Sequence, residues 1–328
     1  MNAAYLDCAS GISGDMMLGA LIDAGVPLET LQAGIDSLGM PSCRLVVAEV
    51  KKNAFRALQV TVQHAPEHAH RHLHHIAQLI DGSTIEPRAR KLAHAIFRRL
   101  AEAEARVHGT DVEKVHFHEV GAVDSIADIV GTAIGWCALG IERAFASPVP
   151  PGRGFIQIAH GRCAIPAPAT AELLKGIPFA ESSVEGELTT PTGAAILATL
   201  VDAFGPPPAI TVRQIGYGAG QRDYADHANL LRLLVGEETP RMAGDSVWVV
   251  ETNLDDSTGE QIGYCCDRLW AAGALDVATS PIQMKKARPG VRLTALCRQA
   301  DVGEIERILL CETTTLGVRR YQVERTIL

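Results

Sequence analysis

The stretch ETNLDDSTGEQIGY, Glu251–Tyr264, decides the architecture of the C-terminal part of the chain. The run from Val247 to Leu254 is β-rich and two aspartates stop it. Ser257 and Glu260 then form a capping box for a helix over 258–272, which Gly273 ends. Further along, the patterning predicts strands over 275–284 and 291–297, a helix over 302–312 and a strand over 317–327. That order, βαββαβ, is the signature of a ferredoxin-like, split-βαβ sheet. In such a sheet the first and second strands run parallel with the third between them. The loop after the first strand and the hairpin after the second therefore emerge at one edge, about 10 Å apart, twice the strand spacing. Topology thus lets Asp255 and Asp256 meet Lys285, Lys286 and Arg288. Carboxylates holding a divalent ion, with cations neutralising phosphates, suit a bound triphosphate. A solvated charged edge is the competing reading.

Upstream, the polar stretch GEETPRMAGD, residues 236–245, contains Pro and Gly and marks a boundary. It separates an N-terminal domain, 1–240, from the domain at 246–328. In the first, a strand over 3–7 leads through CASGISGD into a helix opened by Ser13 or Asp15. A second helix runs over 28–38, and runs 45–50 and 57–62 form a hairpin through KKNA. Pro87 starts a long helix that Gly109 stops, 115–118 is a short strand, and 126–139 is an apolar helix. Residues 147–168 read as loop and edge strand, and Thr192 caps a helix to about Ala203. The fold class is α/β (α+β): a mixed N-terminal α/β domain followed by the ferredoxin-like domain.

Composition removes several function classes. The chain has 328 residues, 47% of them apolar, which is enough for a sizeable core and excludes a disordered tail or minimal disulfide scaffold. With 30 Lys+Arg against 38 Asp+Glu the net charge is -8, and no dense basic stripe is present, so nucleic acid is not an expected partner. The longest nearly apolar stretch, Ile129–Ile141, spans about half of a bilayer core, so no membrane span is expected. The N-terminus shows no export signal. Eight cysteines without a CxxC pair point to a reducing cytoplasm.

Chemistry concentrates in four places. HAPEHAHRHLHH, residues 64–75, holds six of the twelve histidines: His64, His68, His70, His72, His74 and His75. On a helix, His68 with His72 and His70 with His74 would be i,i+4 pairs able to chelate nickel, copper or zinc. A solvated polar loop that binds metal adventitiously is the alternative. The loop with Gly11, Ser13, Gly14 and Asp15 lies between a strand and a helix start, where an anion is favoured, though a plain tight turn has the same pattern. There Asp15 either complements the helix dipole or holds a metal or substrate proton. HFHEVGAVDSIAD, 116–128, puts His116 and His118 on one strand face, and Asp124 and Asp128 one turn apart on the next helix. These groups suit a divalent ion or an acid/base pair, or else form a structural network with Asp124 as N-cap. GELTTPTGAAIL, 186–197, offers Thr190 and Thr192 at another helix start, where capping explains one threonine but not three. The alternate glycines of IGYGAGQRD, 215–223, indicate a turn or bulge.

The strings YLDCASGISGDMMLGALIDAG, HFHEVGAVDSIADIVG, ELTTPTGAAIL, ETNLDDSTGEQIGY, ALDVATSPIQMKKARPG and ETTTLGVRR together resemble the nickel insertion protein LarC family. The resemblance spans nearly the whole chain. It implies a CTP-dependent cyclometallase that inserts nickel into pyridinium-3,5-bisthiocarboxylic acid mononucleotide, completing the nickel pincer cofactor of lactate racemase and related enzymes. On that reading His64, His68, His70, His72, His74 and His75 collect Ni(II). Asp255, Asp256, Lys285, Lys286 and Arg288 bind CTP with Mg or Mn. The loop Gly11, Ser13, Gly14 and Asp15, with Thr190 and Thr192 and with His116, His118, Glu119 and Asp124, faces the pyridinium substrate. Expected partners are the mononucleotide, CTP, cofactor-pathway or recipient enzymes, and further copies in a homo-oligomer. Family members continue beyond the region of Leu328, so the second domain reads as truncated at its C-terminus. The rival classes are a non-catalytic nickel chaperone or storage protein, in which the histidines carry the function, and a nucleotide hydrolase with incidental histidines.

Overall fold

The apolar run AAYL places β1 (Asn2–Asp7) inside a sheet, with four consecutive buried residues and hydrogen-bonded neighbours on both sides. In the computed structural model β1 begins the first of two compact units, Met1–Thr239 and Pro240–Leu328. All residues are described except 41, 66–70, 118–121, 159–160, 226, 240–243 and 327–328. After β1 come α1 (Gly14–Asp23), α2 (Leu28–Asp36) and the hairpin of β2 (Arg44–Lys52) and β3 (Phe55–Gln63). Next are β4 (Arg71–His72), α3 (Leu73–Asp81), α4 (Pro87–His108), β5 (His116–Phe117) and α5 (Val123–Ala138). Short pieces follow: β6 (Arg143–Ala146), β7 (Gly152–Arg153), β8 (Phe155–Ile158), β9 (Gly161–Ala164), α6 (Pro168–Leu173) and β10 (Gly186–Glu187). The unit closes with α7 (Pro191–Leu200), β11 (Ala203–Phe204), β12 (Ile210–Ala219) and β13 (Leu230–Glu238).

Seven of these strands form one mixed sheet in the order β11-β6-β1-β13-β12-β3-β2. The helix α1 lies directly on β12 and β3, and glycines permit the approach. A Cβ on Gly218 would stand 1.7 Å from the Met16 carbonyl oxygen, and one on Gly216 1.9 Å from that of Ala20. The alternate glycines of 215–223 therefore sit in a strand under a helix, and the turn-or-bulge reading of them is corrected. A register irregularity does occur in β12, but between Val212 and Gln214. α5 packs in turn on α1, Gly131 against Leu18 and Gly135 against Leu21, and is buried along most of its length. Pro87 at the first turn and Gly109, with φ +60°, bound α4 as local chemistry requires. Helix α7 starts two residues earlier than expected. Thr190, not Thr192, is its N-cap, and it ends at Leu200 because Val201 is already extended.

The second unit contains β14 (Gly244–Leu254), α8 (Gly259–Ala271), β15 (Asp276–Met284), β16 (Arg288–Cys297), α9 (Val302–Glu312) and β17 (Arg319–Thr326). Its sheet order is β15-β16-β14-β17, with every pair antiparallel. This is the order of a split-βαβ sheet. Val250, Leu293 and Ala295 face Cys265, Leu269, Ile305 and Leu309 across its core. The capping box of α8 is Thr258 with Gln261, one residue beyond the expected Ser257 and Glu260 pair. The Thr258 Oγ1 accepts from the Gln261 amide at 3.2 Å, and Gln261 Oε1 accepts from the Thr258 amide at 3.0 Å. Ser257 is instead engaged by Thr314, with the two hydroxyl oxygens 2.8 Å apart. Among the described residues, no helix is long and apolar enough to cross a membrane.

Candidate functional site

Two of the glycine-bearing segments join into one structure. Gly11 takes a left-handed φ of +76°, and the chain turns so that the Ile12 amide donates to the Leu188 carbonyl at 3.0 Å. The Thr190 amide donates back to the Ile12 carbonyl at 3.1 Å. A Cβ on Gly11 would meet the Leu188 oxygen at 2.1 Å, and one on Gly193 would meet the Ile12 oxygen at 2.1 Å. The starts of α1 and α7 are thereby stitched together. The threonines take part in this junction through their hydroxyls. Thr189 Oγ1 donates to the Pro150 carbonyl at 2.9 Å, Thr190 Oγ1 accepts from the Gly193 amide at 3.2 Å, and Thr192 is buried.

At the start of α1, Ser13 is the N-cap, and its hydroxyl donates to Asp15 Oδ1 rather than to the helix backbone. The same oxygen accepts from the Met16 amide at 2.9 Å, while Asp15 Oδ2 accepts from Gln221 Nε2 at 2.8 Å. Gln221 also donates to the Val60 carbonyl at 2.9 Å. Gly14 backs onto α5, where a Cβ would stand 2.4 Å from Asp128 Oδ2. Asp128 Oδ1 is buried with no hydrogen-bond partner. Burial first, then the like charges of Asp15 and Asp124, push the Asp128 carboxyl well above the ordinary aspartate range. Asp124 itself is exposed, and its Oδ1 accepts from the Ser125 amide at 2.8 Å. The N-cap of α5 is Ala122, which corrects the reading of Asp124 as cap. Gln221 is the participant that the sequence did not reveal, because its neighbouring glycines drew the attention to a turn.

The histidine run is brought beside the HFHE motif. β4 pairs antiparallel with β5, His72 opposite His116 and Arg71 opposite Phe117. His72 is therefore in a strand rather than on a helix, and the expected partners His68 and His70 of the i,i+4 pairs lie outside the described residues. His72 is extended, with φ −85° and ψ 161°, and α3 begins only at Leu73. His72 Nδ1 lies 3.0 Å from the Val115 carbonyl, and its amide donates to His75 Nδ1 at 3.3 Å. The ring centroids of His74 and His75 are 3.9 Å apart, with those of His72 at 5.4 and 5.6 Å. Some desolvation by its neighbours first, then the charges of His74, His72 and Arg71, lower the pKa of the exposed His75 and favour its neutral form. His64 Nδ1 contacts the Ala65 carbonyl at 2.8 Å. His68, His70, His118 and Glu119 lie outside the described residues, as does the His116 side chain. Among the described residues, no group of three or more His, Cys, Asp or Glu is arranged to hold a metal ion.

In the second unit, the acidic turn and the cationic hairpin meet at one end of the sheet. Arg288 Nη1 stands 3.4 Å from Asp255 Oδ2. Between β15 and β16 the turn Lys285–Ala287 puts Lys286 and Ala287 at φ +59° and +55°, an uncommon conformation for residues with a side chain. Lys285 and Lys286 are exposed and, among the described residues, have no carboxylate partner. Asp256 Oδ1 accepts from the Thr314 hydroxyl. Thr314 was missed as a site residue, although three successive threonines just past α9 were its signal. The donor set of two carboxylates on one turn, three cations and adjacent hydroxyls is of the hard, oxygen-rich kind that suits magnesium or manganese with phosphates.

A family model described as nickel insertion protein matches residues 4–328. A nickel insertion protein of Rhodopirellula baltica is 50% identical over 329 residues, covering 98% of this chain and 83% of that protein. The pyridinium-3,5-bisthiocarboxylic acid mononucleotide nickel insertion protein of Desulfitobacterium hafniense is 47% identical over 334 residues, covering 100% of this chain and 83% of its own. Among solved structures, LarC2, the C-terminal domain of a cyclometallase involved in the synthesis of the NPN cofactor of lactate racemase, is 48% identical. That match covers 26% of this chain and 59% of the other, with a TM-score of 0.26.

Proposed function

The chain belongs to the nickel insertion protein family, and from that premise we propose that it inserts nickel into pyridinium-3,5-bisthiocarboxylic acid mononucleotide as a CTP-dependent cyclometallase. The family match over residues 4–328 supports the reaction. The CTP assignment rests on one observation, the approach of Arg288 to Asp255 at the rim where Lys285 and Lys286 lie exposed. Asp255 and Asp256 would hold Mg(II) or Mn(II), which would supply positive charge against the phosphates. Lys285, Lys286 and Arg288 would neutralise the phosphate charge, Arg288 through its planar fork.

In the first unit, Gly11, Ser13, Gly14 and Asp15 would face the pyridinium substrate together with His116, His118, Glu119 and Asp124. Nickel is the cargo, collected by His64, His68, His70, His72, His74 and His75. Asp15 is held by Ser13 and Gln221 in one orientation, as a group that must meet a substrate proton or metal requires. Insertion replaces a ring carbon–hydrogen bond with a carbon–nickel bond and releases one proton to a base. A reducing cytoplasm, recipient enzymes of the cofactor pathway and a homo-oligomeric state belong to the same reading.

The test is to incubate the protein with Ni(II), CTP, Mg(II) and the bisthiocarboxylated pyridinium mononucleotide and to look for the nickel-bearing product by mass. A product that forms only with CTP supports the reading. Tight nickel binding with no product under any nucleotide would leave a storage protein instead.

A further inference from the structure

Segment 221–229, joining β12 to β13, carries side chains that the proposed reaction has not used. Its backbone is fastened on several sides. Gln221 bonds Asp15 and Val60, Lys52 Nζ bonds Asp223 Oδ1 at 2.5 Å, Asn229 Nδ2 donates to the Arg222 carbonyl at 3.0 Å, and Ser10 Oγ donates to the Ala228 carbonyl at 2.6 Å. This fixed loop aims two groups at one glycine. A Cβ on Gly186 would stand 3.1 Å from Arg222 Nη1 and 3.5 Å from the Tyr224 hydroxyl. In the pairing of β10 with β7, Gly186 lies directly opposite Arg153. Residues directly opposite in an antiparallel pair share a face, so Arg153 leaves the ladder toward the same side. The absent side chain of Gly186 thus leaves a notch with the Arg222 guanidinium and the Tyr224 phenol at its rim, and Arg153 on the same face of the ladder.

These groups are short of partners. Among the described residues, neither Arg153 nor Arg222 has a carboxylate partner, and the Tyr224 hydroxyl has no hydrogen bond. Asp223, which follows Arg222, is taken by Lys52, while Glu185 and Glu187 flank Gly186 in the chain. His227 packs edge-on to Tyr224 with ring centroids 6.1 Å apart, and its Nε2 is buried without a partner. A buried polar atom left unpaired is unfavourable and calls for a ligand or water. Two arginines without a carboxylate partner, one at the notch and one opposite it in the ladder, stand out in a chain of net charge -8. Arginine forks match the oxygens of a phosphate bidentately, and Tyr224 and His227 supply further donors.

We propose that the Gly186 notch is a receptor for a phosphate monoester, and that it holds the phosphate of the pyridinium mononucleotide; this second part rests on the reaction proposed above. Arg222 directly follows Gln221, which grips Asp15, so a phosphate held there lies next to the loop assigned to the pyridinium ring.

The full chain is titrated calorimetrically with nicotinic acid mononucleotide, its dephosphorylated riboside, and Mg-CTP. The parent is expected to bind the mononucleotide at least about tenfold more tightly than the riboside, as one charged hydrogen-bond pair alone allows. Arg222→Ala and Arg153→Ala should each remove that difference, Arg222→Lys should restore part of it, and none should change Mg-CTP affinity. Equal affinity of the parent for mononucleotide and riboside, no binding of either, or unchanged affinities in both alanine variants would overturn the receptor. A loss of Mg-CTP affinity alone would overturn its assignment to the substrate. A parent that discriminates through the phosphate yet forms no nickel product keeps the receptor and removes the reaction. A parent that forms product without using the notch does the reverse. Both arginines are exposed, so the variants should fold.

Discussion

Gly14 and Asp128 stand so close that a Cβ on the glycine would meet the carboxylate Oδ2 at 2.4 Å. The first turn of α1 therefore seals one side of a carboxyl group that already lacks a partner for Oδ1. Beside Asp15 and Asp124, such a group keeps its proton to higher pH than an exposed aspartate does.

This gives a stability prediction with a definite sign. A carboxyl whose folded-state pKa is raised binds more protons folded than unfolded, from its unfolded value near about 3.9 up to the raised value. Stability contributed by Asp128 is thus present at acid pH and lost as pH climbs through that window. Asp128→Asn removes the titration. Its melting temperature, subtracted from that of the parent across pH 4–8, should grow in the variant's favour as pH rises. A flat difference would show that Asp128 titrates normally.

Gly218 carries a second prediction, about packing. A Cβ there would stand 1.7 Å from the Met16 carbonyl oxygen, a backbone atom that cannot swing aside. Gly218→Ala should cost about 3 kcal/mol through overpacking. Hydrogen exchange of the α1 amides in increasing urea reads this directly. Gly263→Ala, on α8 with no atom within 4 Å, should instead stabilise its own unit by about 0.5–1 kcal/mol.

What the sequence discloses depends on how local the cause is. Pro87 and Gly109 bound α4 through their own backbone chemistry, so that helix is legible from end to end. The order of strands and helices after Val247 is likewise carried by periodicity within each element. Gly216 and Gly218 are not legible in this way, since their reason is a carbonyl about two hundred residues upstream. Gln221 reaching Asp15 and His72 lying opposite His116 also arise from chain crossings that no window of sequence contains. The threonines of 187–192 show both kinds of cause side by side. Thr189 donates to the Pro150 carbonyl, a partner no local window contains, whereas Thr190 accepts from the Gly193 amide within its own helix turn.

The C-terminal rim predicts a nucleotide effect. Lys285→Ala combined with Lys286→Ala leaves the Asp255–Arg288 contact in place, so the sheet should be undisturbed. Affinity for Mg-CTP, measured calorimetrically, should fall about tenfold or more, since each charge-assisted contact to phosphate is worth about 1.5–3 kcal/mol. Asp255→Asn should weaken binding in the presence of Mg(II) and have much less effect in EDTA. Unchanged Mg-CTP affinity in the double variant would remove the nucleotide site from this unit.

The histidines call for a variant chosen with the structure in view. Removing 64–75 outright would also delete β4 and the first turn of α3, and His72 contacts the Val115 carbonyl across the β4–β5 pair. Replacing His68, His70 and His74 by alanine leaves that pair intact. If the run collects nickel for an enzyme, equilibrium dialysis should show a lower nickel capacity, and turnover should fall at limiting nickel. At saturating nickel turnover should return to near the parent rate, because the collecting step is then bypassed. A variant that stays inactive at any nickel concentration would place these imidazoles in the insertion step itself. One that keeps its full nickel capacity would move the metal site elsewhere in the chain.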